Sequence, residues 1–433
     1  MINIEKVQVK EKYGWSKPGI IDLFLSEYDE GRFHLGFLNK NCNLLWPVLK
    51  EQLLNNNIKV AEKYGVQGAP LNQCINDSES FFEIGDFDIV HGLSHQEAVA
   101  LLTSCNVIVH DYSEGASYPT SDFYTWLKKL NVTPKNLFLH SGGFNFTESD
   151  IPNTTVLPCS STFAMFTILQ SDIYNILFDE DKKKDYVSFL KEQRNKNNFK
   201  YLSMIYNRKP RHNRLKLLAN LHRNGLLDSC LWTLAWSWGD QVSDWNTANS
   251  VYTHQNLIHK KLYLEDVADK KIFKFLQAVA DQLPKNFIDL EAKDPSSGTL
   301  FYKDWSGLSK WNSVVEVYTQ RDHPLHINPQ GFLTEKTFRS YLLGLPNLLI
   351  AAPGANKELE NLGLPILNII DENLEGWERV DALTDFLLED FNNGVDISEH
   401  TDQILECFNT FWTAGNLCKI MSNSLKELNN FTS

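Results

Sequence analysis

Along most of the chain, short apolar runs alternate with longer segments in which apolar residues recur at helical spacing. Residues 20–24 and 33–38 read as extended, and residues 44–55 place Leu and Val on one face of a helix. Residues 87–93 read as a strand passing into a loop. Ser94 and Glu97 stand at capping-box spacing, which predicts a helix running through the Ala/Leu-rich segment to Leu102. Residues 107–111 return to the extended pattern, residues 123–130 are helical, and residues 137–140 are extended. Gly142 and Gly143 break the chain where a parallel strand would deliver its loop. This alternation predicts a parallel sheet covered by helices.

The second half restarts the rhythm. Residues 200–205 read as a strand, residues 214–224 as a helix closed by Gly225, and residues 347–352 as a strand. Residues 356–362 read as a helix ending at Gly363, and residues 365–370 as a further strand. Between the halves, residues 179–185 are almost all charged and read as a solvated helix or linker. At 433 residues the chain exceeds what one core usually serves, so the boundary is placed near this segment.

Composition narrows the class. A hydrophobic fraction of 42% and a charged fraction of 22% are ordinary for a globular chain, and 26 Phe with 11 Trp make it aromatic-rich. The net charge of -13 disfavours general nucleic-acid binding unless a local basic surface overrides the overall field. The seven Cys show no CxxC spacing, which points to a reduced, cytoplasmic chain with neither structural zinc nor a disulfide framework. The N-terminal residues mix charges and lack the apolar run of a signal peptide. Apolar stretches stop short of the ~18 to 20 residues that cross a bilayer, so no stable membrane insertion is expected.

Two charged blocks carry candidate chemistry. In residues 331–344, Thr334 can cap a helix that begins with Glu335 and Lys336, bringing a carboxylate, an ammonium and free backbone N–H groups to one helix N-terminus. A carboxylate can hold adjacent ribose hydroxyls, and a cation with the helix dipole suits a diphosphate. The same residues also fit an ordinary capped helix with a surface Glu-Lys pair. Residues 206–214 put Arg208, Lys209, Arg211 and Arg214 between a strand and a helix, where diphosphates commonly sit. A solvated basic loop or an RNA-contacting patch fits that block as well.

In order along the chain, the segment from Asn207 to Leu215, then Glu316, then Phe332-Leu333-Thr334-Glu335-Lys336-Thr337-Phe338, then Gly344-Leu345-Pro346 resembles the donor domain of the fucosyltransferase-like GT-B glycosyltransferases, especially uncharacterised viral and phage members. The resemblance extends through Ala352-Pro353-Gly354 and Ile370-Asp371-Glu372, covering roughly residues 200–390. It implies a GT-B fold: two Rossmann-like domains whose parallel sheets face each other across a cleft. The implied organisation is an acceptor domain at residues 1–190, a donor domain at 198–405, and a C-terminal helical segment at 406–433 that packs back on the first domain. It further implies a metal-independent, inverting transferase with no cofactor beyond its nucleotide-sugar co-substrate. Glu335 would hold the ribose, and Lys336 with Arg208 or Arg211 the diphosphate.

The first half should then supply the acceptor site and a general base. Asp111 and Glu114, in the loop after residues 107–110, compete for that role, with His110 as an outside choice; turn chemistry explains the same loop. The pairs His91/His95 and His323/His326 have near-metal spacing but lack a third ligand. Cys159 has no nucleophile-elbow frame. Trp232, Trp236 and Trp238 alternate as in a strand or an aromatic wall, and Trp305 and Trp311 read as a loop able to stack on a base or sugar. The expected function is transfer of a sugar from a nucleotide donor to a hydroxyl on a glycan, lipid or small molecule. The alternatives are a phage-type transferase acting on hydroxymethylated DNA and a non-catalytic nucleic-acid-binding or scaffold module.

Overall fold

The computed structural model describes residues 1–9, 45–60, 68–86, 88–111, 122–141, 143, 149–158, 173–196, 198–207, 212–234, 269–282, 307–316, 331, 333–374 and 376–431. Two parallel sheets organise the molecule. The first contains β1 (Ile2–Gln8), β2 (Ile58–Val60), β3 (Ala69–Pro70), β4 (Phe81–Gly85), β5 (Asn106–Asp111), β6 (Asn136–Ser141) and β7 (Thr154–Pro158). Its order is β2-β1-β4-β5-β6-β7, with β3 also pairing with β1, and every pairing is parallel.

Burial on both faces of this sheet explains its near-continuous apolar strands. Side chains alternate between faces along each strand. Thus Phe81, Ile108 and Phe138 join one core with Leu49 and Leu53 of helix Trp46–Asn55. Phe82, Val107, Val109, Leu137 and Leu139 join another with Ala98, Leu101 and Leu102 of helix His95–Ser104 and Phe123 and Leu127 of helix Asp122–Leu130. The capping box at Ser94 forms: the Ser94 N–H donates to Glu97 Oε2 at 2.8 Å, and the Glu97 N–H donates to Ser94 Oγ at 3.3 Å.

The second sheet contains β8 (Tyr201–Ile205), β9 (Cys230–Trp232), β10 (Ser309–Val315) and β11 (Asn347–Ile350), in the order β11-β10-β8-β9 and again all parallel. Helix His212–Arg223 follows β8 and buries Leu215, Leu218 and Leu221. Helix Ala355–Leu362 follows β11 and closes on Gly363, whose φ of +83° suits a residue without a side chain. The molecule is therefore a mixed α/β protein with parallel, Rossmann-like sheets.

Three sequence expectations are corrected. The strand expected at residues 87–93 is not formed by residues 88–93: β4 lies at Phe81–Gly85, and Asp88–Gly92 forms a π-helical turn. Residues 365–370 form no strand, because the chain leaves the left-handed Gly363 into irregular turns in which Pro365 accepts a hydrogen bond from the Tyr341 hydroxyl at 2.8 Å. Trp311 is a core residue of β10, with Nε1 donating to Asp390 Oδ2 at 2.7 Å, so it is not a stacking loop residue. Trp232 is likewise buried, in β9, whereas Trp236, Trp238 and Trp305 lie outside the described residues.

The charged segment at residues 179–185 opens helix Glu180–Asn195, N-capped by Asp179. Tyr186, Leu190 and Arg194 recur at helical spacing and turn one face inward. That face meets the second half. The Tyr186 hydroxyl donates to the Leu342 carbonyl at 2.7 Å, and Arg194 Nη1 donates to the Ser309 carbonyl at 2.6 Å. At the C-terminus, helix Ala414–Ser424 packs on helix Trp46–Asn55. Asn56 Nδ2 donates to Ser422 Oγ at 2.6 Å, Asn429 Nδ2 donates to the Asn56 carbonyl at 2.6 Å, and the Phe431 ring meets Phe138 edge-on.

Candidate functional site

In open α/β sheets, ligands collect at the carboxyl ends of the strands where the strand order reverses. In the second sheet β9 lies on one side of β8, and β10 and β11 lie on the other, so the reversal falls between β8 and β10. Tyr206 and Asn207 leave β8 there, and Glu316 leaves β10. The Glu316 N–H extends the ladder by donating to the Ile350 carbonyl at 2.8 Å, which fixes where its side chain starts.

The Glu316 carboxylate is buried and spans the N-terminus of helix Glu335–Leu342. Its Oε1 accepts from the Thr334 N–H at 2.9 Å and from the Thr337 hydroxyl at 2.6 Å, and the Thr334 hydroxyl lies 3.0 and 2.9 Å from its two oxygens. Thr334 Oγ1 in turn accepts from the Lys336 N–H at 3.3 Å, as an N-cap should. Lys336 Nζ also reaches Thr334 Oγ1, at 3.4 Å. A carboxylate, two threonine hydroxyls and a buried ammonium thus meet at one helix start.

Cations gather around this corner. Arg214 is buried on helix His212–Arg223, and its Nε donates to the Val315 carbonyl at 3.1 Å, immediately before Glu316. Arg339, one turn beyond Lys336, holds its guanidinium 5.2 Å from the Tyr206 ring centroid. The Asn207 N–H donates to Thr233 Oγ1 at 3.0 Å, tying the end of β8 to the residue after β9. Of the residues expected from sequence, the structure brings together Arg214, Glu316, Thr334 and Lys336. Glu335 is the first residue of the helix. Arg208, Lys209 and Arg211 lie outside the described residues. Arg339 and Tyr206 escaped the sequence reading, although Arg339 stands three residues from Lys336, the spacing that places side chains on one helical face.

At the first sheet, Asp111 ends β5, and Glu114 lies outside the described residues. The polar cluster described there was not anticipated as a group. His110 on β5, His140 on β6 and Glu83 on β4 are all buried at the carboxyl ends of adjacent strands. His110 Nδ1 lies 2.9 Å from His140 Nδ1, and His110 Nε2 contacts Glu83 Oε1. Burial, and secondarily the neighbouring His110, hold His140 well below the ordinary histidine range.

His91 and His95 are exposed, and His323, His326 and Cys159 lie outside the described residues. Among the described residues there is no group of three or more His, Cys, Asp or Glu placed to hold a metal ion, and no helix is long and apolar enough to cross a membrane. The described Cys74, Cys105, Cys230, Cys407 and Cys418 are free and buried. The chain matches no protein-family model, no curated protein and no solved structure.

Proposed function

We propose that the protein is a glycosyltransferase that moves a sugar from a nucleotide-sugar donor to a hydroxyl acceptor, with inversion and without an essential metal. The observation that carries this reading is the buried corner of Glu316, Thr334 and Lys336 at the strand-order reversal of the second sheet. A helix N-terminus and an ammonium at that place suit a diphosphate leaving group, since both stabilise the charge that develops as the glycosidic bond breaks.

In this reading the two sheets belong to the two halves of a GT-B enzyme. Lys336, together with Arg208, Lys209, Arg211 and Arg214, serves the diphosphate, and Glu335 serves the ribose. Glu316 acts one step removed: its carboxylate receives Thr334 and Thr337 and so holds the helix start in position. The first sheet supplies the acceptor side, with Asp111 and Glu114 after β5 as candidate bases.

Calorimetric titration of the full chain with GDP-, UDP-, ADP- and CMP-linked sugars tests the proposal. Saturable binding of one donor class is expected, and absence of binding across the panel would overturn it.

A further inference from the structure

The two ends of the second sheet differ. Its carboxyl edge carries the proposed donor corner, whereas its amino edge opens into a groove of about 820 Å³, within the ~300 to 1,000 Å³ range of ligand clefts. β8 carries the chain from Tyr201 in this groove toward Asn207 at the donor corner, roughly 20 Å away at ~3.3 Å per residue. The groove is thus a separate place on the molecule. Its walls come from the chain entering β8 and β9, from Lys310 on β10, and from the end of helix Gly376–Asn393 with the turn that follows it.

One buried carboxylate builds the frame. Asp390 accepts from Lys310 Nζ at 2.5 Å, from Trp311 Nε1 at 2.7 Å and from the Val395 N–H at 2.5 Å, so it ties strand, helix and turn together. Lys310 is thereby held at the wall with N–H capacity to spare, since an ammonium has three donors. The next residue, Phe391, is 53% exposed. The other exposed ring, Phe431, lies edge-on against Phe138, whereas Phe391 has no aromatic partner among the described residues. Elsewhere on the wall, Asp228 is exposed and accepts no hydrogen bond among the described residues. Asp396 takes the Ser398 N–H at 2.9 Å and the Ser398 hydroxyl at 2.6 Å on Oδ1 alone, which leaves Oδ2 able to accept. Lys200 is exposed, with Nζ 5.1 Å from the Tyr201 ring centroid and no ion pair among the described residues.

These groups select a ligand class by what each would leave unsatisfied. An apolar peptide or acyl chain would cover Phe391 but strip water from Lys200, Asp228 and Asp396 without replacing it. A phosphate or an acidic chain would meet the carboxylates of Asp228, Asp390 and Asp396, and a basic chain the ammonium groups of Lys200 and Lys310. A neutral saccharide meets neither objection. Its hydroxyls donate to carboxylates and accept from ammonium groups, and the C–H face of a pyranose lies flat on an aromatic ring. We propose that this groove binds a neutral oligosaccharide. Phe391 is the platform for one sugar ring, Asp228 and Asp396 Oδ2 accept hydroxyls, and Lys200 and Lys310 donate to sugar oxygens. It is a holding site set apart from the donor corner, and it does not depend on the transferase reading.

Saturation-transfer NMR of the full chain tests the groove against cellotetraose, maltotetraose, mannotriose, N-acetylchitotriose and lacto-N-neotetraose, each at millimolar concentration. Tetragalacturonate and inorganic phosphate serve as anionic probes. At least one neutral saccharide should bind, with an affinity that changes little between low and high salt. Phe391→Ala and Asp228→Asn alter exposed residues, and each should weaken that binding by about tenfold while keeping the urea midpoint. Lys336→Ala, in the donor corner, should bind the saccharide as the unaltered chain does. The inference is overturned if no neutral saccharide binds, if tetragalacturonate or phosphate is preferred, or if both groove variants keep full affinity. A loss in Lys336→Ala that Phe391→Ala does not share also overturns it, since the saccharide then sits at the donor corner. Nucleotide-sugar binding without oligosaccharide binding removes the groove and leaves the transferase reading standing, and the reverse removes only the transferase reading.

Discussion

Glu316 and Thr334 are joined twice: the Thr334 N–H donates to the Glu316 carboxylate at 2.9 Å, and the Thr334 hydroxyl lies 2.9 Å from its second oxygen. The contact crosses from the end of a sheet strand to the residue before a helix, so one buried carboxylate sets the distance between two elements of the proposed donor corner. Thr334 cannot rotate freely to cap the helix alone, because its hydroxyl both points at Glu316 and accepts from the Lys336 N–H.

Removing that carboxylate leaves the Thr334 N–H and the Thr337 hydroxyl buried without their acceptor. Glu316→Ala should therefore destabilise the protein by about 2 to 4 kcal/mol, and Glu316→Gln by less, since the amide oxygen can still accept. Urea unfolding at constant m-value is the measurement. A Glu316→Ala variant with the unaltered midpoint would show that the carboxylate does not hold the helix.

The donor proposal makes a separate demand on charge. Lys336→Ala should weaken binding of the recognised nucleotide sugar by about 1.5 to 3 kcal/mol, the scale of a hydrogen bond to a charged group. It should also flatten the salt dependence of that binding, whereas Glu335→Ala should weaken binding through the ribose and leave the salt dependence in place. Titration calorimetry at two ionic strengths separates the effects. Equal affinity of Lys336→Ala and the unaltered chain would remove the ammonium from the site.

Local features of this corner were legible in the sequence, and long-range ones were not. Thr334 before Glu335 and Lys336 announced a helix start through capping chemistry alone, and the helix is there. The Ser94 box was legible for the same reason. β1 was missed because Glu5 and Lys6 interrupt its apolar positions, although Ile2, Ile4 and Val7 are buried. β4 was missed because Glu83 sits within its apolar run and Phe87–Val90 offers an equally β-like pattern next door. The grouping of Glu83 with His110 and His140 depends on β4, β5 and β6 being adjacent and in a particular register. Spacing along the chain carries no record of register, so His110 could be weighed only as a single residue.

Gly344 ends the stretch that begins with the helix cap, and its φ is +63°. A Cβ added there would meet Leu405 at 3.4 Å and Leu190 at 3.5 Å, which is ordinary contact, so the cost of Gly344→Ala is conformational. An L residue held in the left-handed region costs about 1 to 2 kcal/mol. Thermal unfolding should show a lower Tm for Gly344→Ala, with the surrounding packing intact by near-ultraviolet circular dichroism. An unchanged Tm would mean that the turn relaxes to negative φ.

The last prediction concerns pH. His140 in the folded protein is held well below the ordinary histidine range, first by burial and then by His110, whereas in the unfolded chain it titrates near its ordinary value of 6.5. Between those two values the unfolded state binds a proton that the folded state refuses, so unfolding is favoured as pH falls. Above about pH 6.5 both states are neutral at this residue and it contributes no slope. Stability should thus be flat in this respect from pH 8 to about 7 and then decline with acidification, by up to about 1.4 kcal/mol per pH unit from this group. His140→Gln removes the titrating ring and should reduce that decline, even if it lowers stability at neutral pH. Urea midpoints of the two proteins at pH 7.5, 6.5 and 5.5 provide the comparison. Parallel losses in both proteins would place the acid sensitivity at other groups.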